Sequence, residues 1–375
     1  MRQFGKRQAT AVKGIAILMM FWHHLYLNME TIREAGLNVT FFPFPEYNIV
    51  NLAKVCKICV SLYAIVSGYG LYLDYSGTDK EEFDWIKSRV RKLLTDYWFI
   101  YIVIFFVTML IDQRPIKVYF GTNIFDGCIN VILDFCGLAS IFGSPTMIGP
   151  WWYMGAAVIY IVLTPFLVRH KKHLWIIFAA TGVTVRLFKL DFLGGTNPYS
   201  FLCAFQIGMI AAHYNIVNIC INLNGKWGLF MTGVISLWIG YRLYTYLPYG
   251  KYWELCWAFF PLVVLIFSVR YIVNLPLAGN ILYFLGKHSY FMFLTHSFIQ
   301  WVYLREIVYN RNCFVSFAIL LFISLGVAMV CEWLESILRF RKIVDRIVGL
   351  INQKCMSVIC MQYYGIEREK MQNEN

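Results

Sequence analysis

The stretch KGIAILMMFWHHL, residues 13–25, begins with a lysine, continues as an apolar run and ends in two adjacent histidines. The apolar residues that begin here extend over 14–29, close to the length needed to cross the ~30 Å hydrocarbon core of a bilayer. Ionisable side chains inside a membrane are costly and mark functional sites by default. The histidines therefore require either a polar contact between helices or a chemical role.

The composition of the whole chain is that of a membrane protein. Of its 375 residues, 59% are hydrophobic and 14% are charged, whereas soluble domains contain about 25% charged residues. The mean hydropathy is +0.58. The net charge of +12 comes from short Lys and Arg clusters between apolar runs, which favours membrane loops over a nucleic-acid-binding surface. The pair Cys56-x-x-Cys59 has no second CxxC or histidine pair, so no metal site is expected.

Ten apolar runs predict an all-α, polytopic transmembrane helical bundle of about ten spans. The runs are 14–29, 49–73, 94–111, 151–169, 174–190, 199–214, 227–247, 253–272, 285–304 and 314–338. The apolar segment 121–143 is interrupted by Asp126, Asn130 and Asp134 and favours an amphipathic or partly inserted helix.

The Lys and Arg bias places both termini in the cytoplasm and the chain in the cytoplasmic membrane as a multi-pass protein. We expect an integral-membrane domain, residues 1–340, followed by a basic-to-polar cytoplasmic tail, residues 341–375.

Helical geometry separates the two histidines of the first run. Lys13 and His24 are eleven positions apart, which at ~100° per residue returns them to nearly the same helix face, ~16 Å apart along the axis. His23 points ~100° away from that face. His296, in LGKHSYFMFLTHSFIQ, lies at a matching depth in the ninth run, so His24 and His296 can share a cavity. Histidine suits proton transfer near neutral pH, and the alternative is a polar contact between helices.

Basic residues also cluster at the inner end of the third run, in KSRVRKLLTDYW, residues 87–98. Arg89, Arg91 and Lys92 either anchor the chain by the positive-inside rule or form a cationic mouth that holds the phosphates of a cytoplasmic cofactor.

Aromatic and small residues have two interpretations as well. Trp151, Trp152 and Tyr153 form either an aromatic belt at the outer interface or a lip on which a sugar stacks. Ser67 and Gly68 lie in the middle of the second run, where small residues allow close helix approach.

Six segments, taken in order, resemble the bacterial integral-membrane acyltransferases of acyltransferase family three. KGIAILMMFWHH resembles their first-helix signature of Arg or Lys, ten residues, then His, which maps onto Lys13 and His24. The other five segments are VSLYAIVSGYGLY, SRVRKLLTDYW, GPWWYMGAAVIYIVLTPFL, FLCAFQIGMIAA and FLGKHSYFMFLTHSFI. The chain departs from the pattern at Lys92, where a second Arg is common, and at Thr95, where Pro is common.

The resemblance implies transfer of an acyl group, usually acetyl, from a cytoplasmic coenzyme A thioester to a hydroxyl of a cell-surface polysaccharide or its lipid-linked precursor. His24 would be the general base, with Lys13 and His296 as further catalytic residues. Lys13 and the basic cluster (Arg89, Arg91 and Lys92) would hold coenzyme A phosphates or stabilise charge on the thioester oxygen. Trp151, Trp152, Tyr153 and Ser67 would contact substrate. The expected partners are acetyl-CoA as co-substrate, the glycan and membrane lipids, with no metal and no nucleic acid.

Two alternatives belong to other classes. A transporter or flippase for a glycan intermediate would also need many spans and buried charges, but it predicts paired repeats, which the sequence lacks. A glycerolipid acyltransferase would carry His-x-x-x-x-Asp, and none of the seven histidines is followed by Asp at that spacing.

Overall fold

The computed structural model describes residues 3–121, 123–188, 199–223, 225–244 and 256–350. Within these residues the fold is almost entirely helical, as predicted. The helices are α1 (Lys6–Tyr26), α2 (Met29–Glu34), α3 (Glu46–Val55), α4 (Ile58–Ser76), α5 (Glu82–Ile111), α6 (Arg114–Tyr119), α7 (Ile124–Phe135), α8 (Ala139–Phe142), α9 (Trp152–Arg169), α10 (Leu174–Leu187), α11 (Leu202–His213), α12 (Ile216–Ile221), α13 (Gly225–Tyr244), α14 (Cys256–Ser268), α15 (Pro276–Ser297), α16 (Arg305–Val308) and α17 (Cys313–Ile337). A further helical segment covers 340–350, and the predicted tail beyond it, 351–375, lies outside the described residues.

Four helical stretches in the described part of the chain are long and apolar enough to cross a membrane. They are Glu46–Ser76, which combines α3 and α4, then Glu82–Ile111, Gly149–Arg169 and Cys313–Ile337. Only 28% of the apolar window of α17 is buried, and an apolar face of this size fits contact with lipid. In the described residues the chain is therefore an almost entirely helical membrane protein. The count of ten spans and the cytoplasmic termini stay predictions.

Two glycines bring α1 and α15 into backbone contact. A Cβ on Gly14 would collide with the carbonyl oxygen of Leu282, and a Cβ on Gly286 would collide with that of Thr10. Small residues allow this close approach in membrane helices. Ten residues further along both helices, His24 and His296 also meet. The two helices therefore run in the same direction with matched registers.

A second glycine crossing joins α4 to α11. A Cβ on Gly68 would collide with the carbonyl oxygen of Phe205, and a Cβ on Gly208 would collide with that of Ile65. One turn beyond this crossing, the Tyr72 hydroxyl lies 2.6 Å from Nδ1 of His213. Close helix approach, which the sequence suggested for the small residues in the middle of the second run, is therefore what the structure shows at Gly68.

A short parallel ladder connects two loops at the far end of α1. Strand β1 (Val39–Thr40) follows α2, strand β2 (Arg311–Asn312) precedes α17, and Val39 pairs with Arg311. The ladder fastens the start of α17 to the segment that follows the histidine end of α1.

We expect Gly286→Ala to destabilise the protein, because the new methyl group would push α15 away from the Thr10 carbonyl. Gly326→Ala in α17 is the matched control, since a Cβ added there would meet no atom within 4 Å outside its own helix backbone, and Ala should there add up to ~1 kcal/mol of helix stability. The measurement is the melting temperature of the detergent-solubilised protein. Equal melting temperatures for the two variants would contradict the backbone contact.

Candidate active site

His24 and His296 form a hydrogen-bonded pair between α1 and α15. Nδ1 of His24 lies 2.7 Å from Nε2 of His296, and the ring centroids are 4.9 Å apart. His296 is 0% exposed, whereas His24 is only partly buried. The ring of Phe21 stacks on His296 at 5.3 Å and contributes to its burial. Of the two imidazoles, His24 is thus the one that a substrate can reach.

The hydrogen bonds indicate which nitrogen atoms carry protons. Nδ1 of His296 lies 2.8 Å from the carbonyl oxygen of Phe293, so this nitrogen donates. A neutral imidazole has one N–H, so Nε2 of His296 accepts, both from His24 and from the Ser297 hydroxyl at 3.0 Å. Nδ1 of His24 must then be the donor. Nε2 of His24 is left as an unprotonated acceptor with no hydrogen-bond partner among the described residues.

The backbone beside His24 is held by the turn that follows α15. Residues Phe298–Tyr303 form a π-helical turn, a feature frequent at functional sites. Within it, Nε2 of Gln300 donates to the carbonyl oxygen of His24 at 2.8 Å and to the Tyr309 hydroxyl at 2.5 Å. Gln300 is fully buried, so the end of α1 is fixed against the end of α15.

His23 contacts a different helix. Its Nδ1 lies 2.7 Å from the carbonyl oxygen of Ala53 in α3, and its side chain is buried. The doublet therefore combines two roles. His24 pairs with His296, and we call these two histidines the dyad. His23 ties α1 to α3.

The predicted phosphate-binding cations differ in their partners. Arg89 forms an ion pair with Asp74, and Arg91 lies 3.5 Å from Asp345. Lys13 and Lys92 are close enough to repel each other electrostatically, and neither has an acidic partner within the described ranges. Two ammonium groups without a counter-charge favour an anionic ligand.

The aromatic residues at the start of α9 have unequal exposure. Trp151 is 2% exposed and donates from Nε1 to the carbonyl oxygen of Leu294 at 3.0 Å, two residues before His296. Trp152 is half-buried and stacks on Phe201 at 5.9 Å. Trp151 therefore supports the backbone of α15, whereas Trp152 retains surface for a ligand.

Tyr153 presents a polar group inside the bundle. Its hydroxyl is buried without a regular hydrogen bond, and Ser67 is its polar neighbour. The rings of Tyr153 and His296 both pack against Phe293, at 6.1 Å and 6.3 Å. Tyr153 and Ser67 thus lie close to the dyad, while their contact with substrate stays a prediction.

Asp134 is a structural residue whose role the sequence did not reveal. It lies in α7, outside the candidate spans, and is 1% exposed. Its carboxylate accepts hydrogen bonds from the Tyr119 hydroxyl, from the Tyr97 hydroxyl at 3.2 Å and from the backbone N–H of Met147 at 2.8 Å. Burial raises the pKa of Asp134 to about 6, although these hydrogen bonds oppose the shift. The network secures the loop that leads into Trp151.

The comparison with protein families decides the class. The chain matches the model described as the acyltransferase domain, Acyl_transf_3, over residues 8–333. It belongs to the acyltransferase 3 family. No curated protein and no solved structure matches the chain. Family membership confirms the resemblance found in the motifs, and it supports a membrane acyltransferase rather than the transporter alternative. The dyad and the lysine pair both lie inside the matched residues.

The buried carboxylate of Asp134 yields a stability prediction. Asp134→Ala leaves the Tyr119 hydroxyl and the Met147 N–H without their carboxylate acceptor, at ~1–3 kcal/mol for each unsatisfied group, whereas the Tyr97 hydroxyl keeps the Asp134 backbone carbonyl at 2.8 Å. The melting temperature should therefore fall strongly. Asp134→Asn keeps an acceptor oxygen and should cost less. A melting temperature of the Ala variant equal to that of wild type would contradict the network.

The pH dependence supplies a second readout for the same variants. The folded pKa of Asp134, about 6, lies above the ordinary value of 3.8. Protonation therefore favours the fold, and this contribution is lost as the pH rises from about 4 through about 6. Asp134→Asn should remove that part of the pH dependence of the melting temperature.

Proposed function

We propose that this membrane acyltransferase transfers an acetyl or similar short acyl group from cytoplasmic acyl-CoA to a hydroxyl of a cell-surface polysaccharide or its lipid-linked precursor. The observation that carries the proposal is the hydrogen-bonded His24–His296 pair, which leaves Nε2 of His24 as a free base. We further propose the cytoplasmic membrane as its location, with the Lys13 end of α1 facing the cytoplasm.

His24 supplies the general base that acyl transfer to a hydroxyl needs. Its Nε2 accepts the hydroxyl proton while the hydroxyl oxygen attacks the thioester carbonyl. A C–O bond forms, the C–S bond breaks, and the same proton passes from Nε2 to the thiolate that leaves. The charge on His24 is therefore transient, and no other reactant is required.

His296 positions the base. Its Nε2 accepts from Nδ1 of His24, which keeps the reactive nitrogen unprotonated and stabilises the imidazolium that forms during transfer. The same division of roles operates where a carboxylate orients a catalytic histidine. Because Nδ1 of His296 is committed to the Phe293 carbonyl, His296 is a fixed acceptor.

Lys13 and Lys92 supply the positive charge for the donor. Lys13 lies at the other end of α1, ~16 Å from the level of His24 by helix rise, and Lys92 of α5 interacts electrostatically with it. An elongated donor with phosphates at one end and a thioester at the other fits this separation. We assign Ser67 and Tyr153, near the dyad, to the substrate, together with Trp152, whose ring contacts Tyr153 at 5.8 Å. Trp151 supports the backbone of α15 beside them.

We expect His24→Gln to lower acyl transfer by at least ~100-fold, the usual contribution of a general base. His23→Gln is the matched control on the adjacent residue, and it should retain turnover if the protein folds. The measurement is transfer of radiolabelled acetyl from acetyl-CoA to the host's glycan fraction by membranes that contain equal amounts of each variant. Undiminished transfer by His24→Gln would overturn the assignment of the base.

The two neighbouring lysines, Lys13 and Lys92, give a separate prediction about binding of the acyl donor. Lys92→Gln should raise KM for acetyl-CoA by ~10-fold with little change in kcat, because it removes one charge-assisted contact of ~1.4 kcal/mol. Lys117→Gln, an exposed lysine of α6, is the control. An unchanged KM in Lys92→Gln would remove Lys92 from the donor site.

A further inference from the structure

The chain does not leave the bundle where α17 ends. After Ile337 it turns at Arg339, which has a positive φ of 49°, a conformation that usually favours glycine at this position. The segment 340–350 then continues as a helix. A non-glycine residue in this conformation carries strain, so other contacts must hold the turn in place.

Those contacts run along α5. The ring of Phe340 packs edge-on against Phe99 at 5.4 Å, and Arg341 pairs with Asp96 at 3.0 Å. One turn later, Val344 is buried, and Asp345 reaches Arg91. Because these residues recur at helical spacing, one face of the segment is docked on α5.

A cavity of about 510 Å³ lies between α5, α15, α17 and this segment. Its lining includes Asp96, Lys287, Tyr290, Glu335, Arg339 and Lys342. Its volume is in the range of sites for small organic ligands.

The acidic residues of the cavity are already paired. Arg341 forms salt bridges with Asp96 and with the buried Glu335, each at 3.0 Å. Glu332 lies 2.8 Å from Nδ1 of His288. The lining thus carries four Lys or Arg side chains against three carboxylates, and Glu332 also interacts electrostatically with Lys287.

Its remaining cations form no salt bridge. Lys287, Arg339 and Lys342 have no carboxylate within 4.0 Å in the part of the chain that the structure describes. Three cations beside the rings of Tyr290 and Phe291 favour a ligand that combines phosphate groups with an aromatic ring.

The cavity lies beside the lysine pair. Asp96 is one helical turn from Lys92 on α5, and the hydroxyl of Tyr290 donates to the carbonyl oxygen of Leu93 at 3.0 Å. Lys287 follows Gly286, whose backbone contacts α1 near Lys13. A ligand in the cavity can thus extend toward Lys92 and Lys13.

We propose that this cavity binds the phosphorylated nucleotide end of the acyl-CoA donor, and that Arg339 and Lys342 make residues 339–350 part of the donor site. The inference rests on the proposed function. It goes beyond family membership, because the family match ends at residue 333. The segment that the sequence assigned largely to a separate tail becomes a wall of the active site.

The test compares two donors that differ only at the nucleotide end. Arg339→Ser/Lys342→Ser removes the two cations and keeps the Arg341 cross-link. Its kcat/KM for acetyl-CoA should fall at least ~10-fold, whereas kcat/KM for S-acetyl-pantetheine should not change. The control is Lys171→Ser/Lys172→Ser, which removes two exposed lysines between α9 and α10 and should alter neither value. Equal losses with both donors, or no loss with acetyl-CoA, would overturn the proposal.

A binding measurement separates this inference from the proposed function. Adenosine 3′,5′-bisphosphate, which lacks any acyl group, should bind the wild-type protein at least ~10-fold more tightly than the Arg339→Ser/Lys342→Ser variant in calorimetric titration. If wild type transfers no acyl group from either donor, the proposed function fails while this binding difference still decides the cavity. Equal affinity, or no binding by wild type, would overturn the cavity assignment and leave the role of His24 untouched.

Discussion

The backbone contact between Gly14 and Gly286 is the constraint on which the site depends. At this crossing neither helix has room for a Cβ, because each glycine faces a carbonyl oxygen of the other helix. The close approach sets the register of two helices that run in the same direction. His24 lies ten residues after Gly14, and His296 lies ten residues after Gly286. The two histidine rings therefore meet, at hydrogen-bond distance. The contact between His24 and His296 is therefore a consequence of helix packing ten residues earlier along both helices. The π-helical turn after α15 completes it by holding the His24 carbonyl through Gln300.

Much of this arrangement can be predicted from periodicity, but its proton positions cannot. The helical character of most runs follows from their composition, and the spacing of Lys13 and His24 follows from helix geometry. The match in depth between His24 and His296 predicts a shared cavity. However, the assignment of Nε2 of His24 as the base depends on the Phe293 carbonyl, a backbone atom whose direction no sequence pattern encodes. Asp134 illustrates a similar limit: its spacing from Asp126 and Asn130 predicts a polar stripe, whereas its partners Tyr97 and Met147 come from distant positions that only the fold brings together.

At the cationic end of the bundle, the arginines and the lysines differ in their partners. Arg89, Arg91 and Arg341 each pair with a carboxylate, and the planar guanidinium suits such fixed ion pairs. These pairs could not be predicted from the motif KSRVRKLLTDYW, since Asp74 and Asp345 are remote from it along the chain. Lys13, Lys92 and Lys342 have no such partner in the described ranges. Lysine carries a compact charge on a flexible stem. In the donor site that we propose, these lysines would follow a phosphate as it shifts, while the arginines keep the helices in place.

In the proposed mechanism the two ends of α1 have different energetic roles. Contacts between donor phosphates and the Lys13 end would not change as the acyl group moves, so by themselves they would improve binding rather than turnover. Their value for catalysis is positional, because a donor anchored at one end presents its thioester at a fixed height beside Nε2 of His24. Such anchoring replaces an encounter in solution by a reaction between groups already oriented, which can be worth several kcal/mol. A helix is well suited to this task, since its rise fixes the distance between anchor and base without any loop that could relax.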